Sequence, residues 1–289
     1  MQNSNTRRNF LKNSAALFAL SSIKASGLEG FSLGPVRRVA LIGTGWYGKS
    51  DLFRLMQVAP TTVVGLCDVD KNQLQGAASL IAGRSASNAN IPLYGDYRKM
   101  LAEQKPEIVL IGSPDHWHAQ PAMEAALEGK HVYLQKPTSL TIKEGRQLVE
   151  VIQRTGVVLQ LGTQQRSSEQ FRLAAELVRN GRIGKLHTVR IGLPGDPSGP
   201  EAPAMPVPAN LNFDMWLGST PEVPYTEIGV HPQNDYGRPG WLRHENYGAG
   251  MITGWGQHHF DSAAWGMNTE FMGPQYIEAV AEFPRSGLW

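Results

Sequence analysis

A single cysteine, Cys67, rules out an internal disulfide in this chain of 289 residues. Charge is scarce and nearly balanced: 18% of residues are charged and the formal net charge is +2, so neither a nucleic-acid stripe nor an acidic tail is indicated. A hydrophobic share of 41% excludes gross disorder. No apolar run reaches the roughly 18 residues of a membrane span. The nearest attempt, Ala15 to Leu20 and on to Ile23, is short. There is no internal repeat, and proline and glycine crowd only one long stretch, Pro194 to Pro224. The length suits one large domain or two ordinary ones.

The N-terminus differs from the rest. Thr6-Arg7-Arg8-Asn9-Phe10-Leu11-Lys12 has the form of a twin-arginine export signal, followed by a mildly apolar segment and small residues near Ala25–Gly27. Residues 1–30 are expected to be a removable signal and the protein to be periplasmic or otherwise exported. Loss of Arg7, Arg8, Lys12, Lys24 and Glu29 would leave the remainder slightly acidic. That route carries folded proteins, which suits a chain with no disulfide and a cofactor to load first.

Val39-Ala-Leu-Ile runs into Gly43-Thr44-Gly45-Trp46-Tyr47-Gly48, and a helical pattern follows. In a strand–turn–helix setting this is a dinucleotide fingerprint: Gly43 for the turn, Gly45 for close approach of a pyrophosphate, Gly48 for helix–strand packing. The helix N-terminus offers free N–H groups to phosphates. Thr62 to Cys67 is a second apolar run, and Asp68 lies 20 residues after Gly48, placed for ribose hydroxyls. An acid there favours NAD over NADP, although Asp70 and Lys71 stand close. Asp68 is alternatively the cap of the helix beginning at Lys71. Further strands are expected at Glu107–Ile111, His131–Leu134 and Val157–Leu161, with helices between them. This alternation means a parallel, doubly covered sheet over residues 35–163. The exit loop Gly112-Ser113-Pro114-Asp115-His116-Trp117-His118 would border the nicotinamide.

Beyond residue 163 the pattern changes. Ser167–Asn180 reads as a helix, Lys185–Ile191 and Tyr276–Phe283 as strands, and Pro194 to Pro224 as a loop over a site. With Gln135-Lys136-Pro137 and His258-x-x-Asp261 added to the glycine fingerprint, the sequence resembles the Gfo/Idh/MocA oxidoreductase family over roughly residues 35–289. The resemblance implies an α/β fold, with an N-terminal Rossmann domain and a C-terminal α+β domain bearing a mostly antiparallel sheet. That second domain, residues 164–289, is expected to be incomplete. The resemblance also implies an NAD(P)-dependent enzyme of carbohydrate metabolism, oxidising or reducing a hydroxyl or ketone of a sugar, glycoside or cyclitol. A homo-oligomer formed through the C-terminal sheet is expected. Two positions depart from the family pattern: Gln135 replaces a glutamate, and Gly254 replaces the aspartate that often stands four residues before the histidine.

Carbinol oxidation needs a hydride acceptor, a base and a group to hold the developing alkoxide. The resemblance gives NAD the first role, His258 the second and Lys136 the third. The cofactor set is Gly43, Thr44, Gly45, Trp46, Tyr47, Gly48, Asp68, Ser113, Pro114, His118, Gln135 and Lys136. The substrate set is Lys136, Gln165, Arg166, His258 and Asp261. Three rivals remain: an NAD-dependent glycosidase working by transient oxidation and elimination, a non-catalytic NAD- or sugar-binding module, and a metal-dependent hydrolase using His116, His118, His258, His259 and Asp261. The last lacks a third spaced ligand set, and no metal is expected.

Overall fold

The computed structural model describes residues 34–84, 90–195, 202–230 and 240–282. The export motif at Arg7 and Arg8, and the rest of residues 1–30, lie outside the described residues.

Six strands form one parallel sheet: β1 (Arg37–Ile42), β2 (Thr61–Cys67), β3 (Leu93–Tyr94), β4 (Ile108–Ile111), β5 (His131–Leu134) and β6 (Leu159–Leu161). Their spatial order is β3-β2-β1-β4-β5-β6, so the chain reverses direction across the sheet between β1 and β4. Ligands bind at such a switch point, beyond the carboxyl ends of the strands. Helices α1 (Trp46–Val58), α2 (Lys71–Ala82), α3 (Tyr97–Gln104), α4 (Ala119–Leu127) and α5 (Ile142–Thr155) form the crossovers.

The period of two explains why β1 is central. Val39 and Leu41 pack into one core with Leu52, Leu66 and Leu110. Ala40 and Ile42 face the other, with Val109, Ile111, Leu134 and Leu148. All four are buried, so both faces are covered. Local chemistry sets the helix ends. Asp70 caps α2 by accepting from the amides of Asn72 and Gln73. Asp96 caps α3, and Thr141 with Glu144 forms a capping box on α5, which Gly156 closes in the left-handed region at φ +69°.

After β6 the described residues form α6 (Glu169–Arg179), α7 (Phe213–Leu217), α8 (Gly250–Gly254) and α9 (Gly256–Met267). A third apolar cluster of Leu211, Trp216, Leu217, Tyr225, Val230 and Tyr247 reaches Val69 at the exit of β2. Backbone bonds sew the two parts together: Lys71 N donates to Asn210 O, and Asn212 N to Val69 O.

One expectation is overturned here. The sheet is parallel, not mostly antiparallel, and among the described residues after Leu161 there is no strand. Among the described residues the only antiparallel pairing is the isolated bridge Asp70–Leu211. Residues 185–191 and 276–282 alternate in sequence but form no ladder, and Phe283 lies outside the described residues. Tyr276, Ile277 and Val280 are exposed. An alternating segment becomes a strand only when a neighbour takes its backbone bonds and a face takes its side chains, and among the described residues no strand pairs with either of these two. The surface through which an oligomer was expected to pair is therefore not formed among the described residues. No helix of the described residues is long and apolar enough to cross a membrane.

Candidate active site

At the carboxyl ends of the strands the first βα turn has the geometry its glycines suggest. Gly43 sits at φ +84°, and a Cβ there would lie 2.5 Å from the Ser113 amide nitrogen. A Cβ on Gly48 would lie 2.0 Å from the Gly43 carbonyl oxygen, so α1 can approach β1 only without one. Gly45, by contrast, faces open space. It is the N-cap of α1, offers no side-chain cap, and no acid stands in the first turn. The orphan N–H groups of this 13-residue helix are thus left for an anion. Cradle and opening fit a dinucleotide pyrophosphate.

Asp68 stands at the exit of β2. Its Oδ2 accepts from the Thr44 amide at 2.7 Å and the Thr44 hydroxyl at 2.9 Å, and its Oδ1 accepts from the Asp70 amide at 2.9 Å. The cap of α2 is Asp70, which leaves Asp68 at the cavity wall. Lys49, buried behind the turn, donates to Gln73 Oε1 at 3.4 Å; burial lowers its pKa and Asp68 raises it.

A cavity of about 530 Å³ runs from this turn across the sheet. Of the cofactor set, Gly43, Gly45, Trp46, Tyr47, Asp68, Ser113, Pro114, His118, Gln135 and Lys136 line it. Thr44 is fully buried behind Asp68, and Gly48 backs Gly43. Trp216, Trp241, Leu242, Met251 and Trp255 supply the opposite wall.

Two loops form the middle of the cavity, and His118 fastens them. Its Nδ1 lies 2.5 Å from the Pro137 carbonyl oxygen and its Nε2 lies 2.8 Å from that of Ser113. The Lys136–Pro137 bond is cis. Complete burial drives the His118 pKa down to about 4 against these two acceptors, with Lys136 and His116 adding to the fall. Gln135 Nε2 donates to Asp51 Oδ2 at 2.6 Å. Burial raises Asp51 to about 6 and Gln135 pulls it back. Tyr47 OH accepts from Gln164, and burial raises the Tyr47 pKa, followed by Asp51.

Asp115 was not singled out from sequence, yet it is buried in the cavity wall at 3% exposure. Burial raises it to about 7, and Lys136 pulls it down. The signal for it was its position in the exit loop of β4, at a strand's carboxyl end. His116 Nε2 and Trp117 Nε1 both donate to the Trp216 carbonyl oxygen, each at 2.8 Å, which pins α7 over the loop. Burial holds His116 near 4. Among the described residues no group of three His, Cys, Asp or Glu side chains is arranged to hold a metal.

His258 enters from α9. It is buried, its Nδ1 has no hydrogen-bond partner, and burial lowers its pKa, with Lys136 and His259 adding and Asp261 opposing. The field of Lys136 therefore reaches His258. The remaining substrate candidates pair with one another. Arg166 Nε and Nη2 donate to the two oxygens of Asp261 at 2.7 and 2.8 Å. Glu270 joins Arg166 at 3.6 Å and Arg179 at 3.5 Å. Asp261 is the main cause of the raised Arg166 pKa. This clasp holds α9 to the 3-10 turn Gln164–Ser167, which contains Gln165.

Two stretches of the chain have counterparts among known protein families. Residues 37–163 match the NAD-binding Rossmann-fold domain of the Gfo/Idh/MocA oxidoreductases, and residues 198–285 match their C-terminal α/β domain. A myo-inositol 2-dehydrogenase of Thermotoga maritima is 26% identical over 180 residues, 62% of this chain and 52% of the relative. A glycosyl hydrolase family 109 protein of Shewanella sp. (strain W3-18-1) is 28% identical over 153 residues, 52% of this chain and 33% of the relative. The chain thus spans about half or less of these relatives. Crystalline GenD2 from gentamicin A biosynthesis, in complex with NAD, shares the fold at a TM-score of 0.61 and 20% identity, covering 83% of this chain and 56% of its own.

Proposed function

Because both parts of the chain are matched in order, it belongs to the Gfo/Idh/MocA oxidoreductase family, and from that premise we propose that it is an NAD-dependent oxidoreductase acting on a hydroxyl or ketone of a sugar, glycoside or cyclitol. One observation carries the proposal: Lys136 lines the same cavity as Gly43, Gly45 and Asp68, and its charge reaches His258. The glycine turn, Asp68 and Lys136 therefore share one enclosure, and His258 lies within the field of Lys136.

NAD, the cofactor of this family's Rossmann domain, would accept or deliver the hydride. The turn of Gly43 and Gly45 and the N-terminus of α1 would hold its phosphates, and Asp68 would accept from ribose hydroxyls and disfavour a 2′-phosphate. Ser113, Pro114 and His118 shape the nicotinamide end. The substrate hydroxyl is held by the Lys136 Nζ, which stabilises the oxyanion. His258, kept neutral by burial and by the neighbouring cation, takes the proton. Arg166 and Asp261 support the site by fixing α9.

The decisive assay follows absorbance of reduced cofactor over a panel of cyclitols and pyranosides, with Lys136→Ala and His258→Ala beside the parent protein. Turnover should fall by about 10²–10⁴-fold in each variant, and NAD affinity should be kept in His258→Ala. Unchanged turnover in both would refute the roles assigned.

The Shewanella relative supports a second reading, transient oxidation followed by elimination of a glycosidic substituent. Release of an aglycone without net accumulation of reduced cofactor would favour it. Export by the twin-arginine route is proposed from Arg7 and Arg8 alone, and periplasmic fractionation with and without Arg7→Lys/Arg8→Lys tests it.

A further inference from the structure

Two loops at the carboxyl end of the sheet are tied back to α1, and both ties leave one face of that helix. Tyr47 and Asp51 stand one helical turn apart on α1, so they share a face. The Tyr47 hydroxyl accepts from Gln164 in the 3-10 turn after β6. Asp51 Oδ2 accepts from Gln135 Nε2 at 2.6 Å, just past the end of β5. Gln135 is buried, and its side-chain amide is confined. A Cβ on Gly162 would stand 2.8 Å from Gln135 Nε2 and 3.1 Å from its Oε1, so the exit of β6 closes on that amide only because no side chain is there. Gln135 N donates to the Ile111 carbonyl oxygen at 2.9 Å, and Gln135 Oε1 accepts from the Lys136 amide at 3.3 Å. Gln135-Lys136-Pro137 is therefore gripped from two sides. Through Asp51, α1 holds the first residue, and His118 holds the carbonyl of the third.

We propose that Asp51 is a positioning residue for Lys136: by accepting from Gln135 it fixes, from the helix that opens on the glycine turn, the backbone that carries the lysine. The inference rests on the placement of Lys136 at the reaction centre. Each link from Asp51 to the Lys136 backbone is a hydrogen bond or a peptide bond. The same contact accounts for an amide at 135 where the family pattern has glutamate. Two carboxylates at that distance cannot both ionise, so an acid at 51 demands a donor at 135. Asp and Asn share one shape, as do Gln and Glu. Exchanging acid and amide between the two positions therefore reverses donor and acceptor and leaves the shape alone. Among the described residues, Tyr47 and Tyr133 feel the Asp51 charge, and burial keeps both hydroxyls neutral at pH 8.

The test reads the turn first, on the full chain without cofactor or substrate. Hydrogen exchange at pH 8, read by mass spectrometry, follows a peptide spanning residues 134–138. In Gln135→Glu its amides should exchange about tenfold faster, the effect of losing one charge-assisted hydrogen bond. Asp51→Asn/Gln135→Glu, the exchanged pair, should return to the parent rate. Asp51→Ala is the second loosening variant, for use if two acids prevent folding; it removes the acceptor and should speed the same peptide, whereas Asp51→Asn, which still accepts, should not. Turnover then separates positioning from support. With NAD and either myo-inositol or methyl β-D-glucopyranoside, kcat should fall about tenfold or more in the loosened variants while KM changes little, because a displaced Lys136 is felt at the developing oxyanion. The exchanged pair should regain most of that loss. Parent-like exchange in folded Gln135→Glu and Asp51→Ala would overturn the proposal. An exchanged pair no better than Gln135→Glu would overturn it too, as would loosened variants that keep the parent kcat. If exchange behaves as expected but the parent protein turns over no cyclitol or glycoside, the tie from Asp51 to the Lys136 turn stands and the reaction assigned to the site falls.

Discussion

Single residues in this site titrate against one another, and the signs can be worked out. Asp51 is raised to about 6 when folded and lies near 3.8 when unfolded. Between those values the folded state binds more protons, so stability falls as pH rises through the window and the whole cost is present above pH 6. Asp51→Asn keeps an oxygen for Gln135 and removes the charge. It should raise the unfolding free energy at pH 8 by about 1–2 kcal/mol, discounted for partial exposure, and change it little at pH 4. Thermal melts at the two pH values check this. His116 and His118, held near 4, act in the opposite sense: the unfolded state takes up protons first, so their neutral burial costs stability as pH drops below about 6.5. Removing the Lys136 charge is a separate experiment. In Lys136→Met the His258 titration midpoint, followed by NMR of the imidazole, should move upward. These residues were unequally legible. Lys136 and His258 stood in motifs. Asp115 and Asp51 did not, since burial of a carboxyl is a property of packing and has no local sequence signature.

Elements were legible wherever one segment carried its own reason to form. The runs at β1, β2, β4 and β5 are apolar and β-rich, and the amphipathic spacing between them marks the helices, so the parallel sheet followed from sequence. Residues 185–191 and 276–282 show the alternation of half-buried strands, but that alternation describes a relation to a partner, and no partner strand lies beside them among the described residues. The pairing of Arg166 with Asp261 escaped for a similar reason: their 95-residue separation says nothing of contact. At the glycine turn the constraint is local and severe. Gly48→Ala would force α1 away from the Gly43 carbonyl, since the contact is with backbone, which cannot rotate aside. The expected loss is about 1–3 kcal/mol of stability together with NAD binding, measured by denaturant melts and cofactor titration. Arg166→Ala should cost about 1–2 kcal/mol, because it leaves Asp261 without its bidentate partner, and should raise the apparent KM and lower turnover through displacement of α9.

Across the whole molecule the cavity is walled by two kinds of structure. One wall is the end of a six-stranded sheet with two apolar cores behind it. The facing wall is built from residues 211–230 and 240–267, short helices and irregular chain, anchored through one small cluster, a few backbone bonds, the Arg166–Asp261 pair and the carbonyl of Trp216 that accepts from both His116 and Trp117. Segments with fewer buried contacts open at lower free energy. Amides of 37–42 and 108–111 should therefore exchange slowest, and those of 240–255 much faster, in native-state hydrogen exchange read by mass spectrometry. The shared Trp216 oxygen turns this into something with a practical face. On warming or in mild denaturant, that one peptide group letting go would loosen the α7 part of the tryptophan-lined wall while the glycine turn stays folded on its sheet. Turnover would then disappear ahead of cofactor retention, and a heat-inactivated sample would still carry its nucleotide.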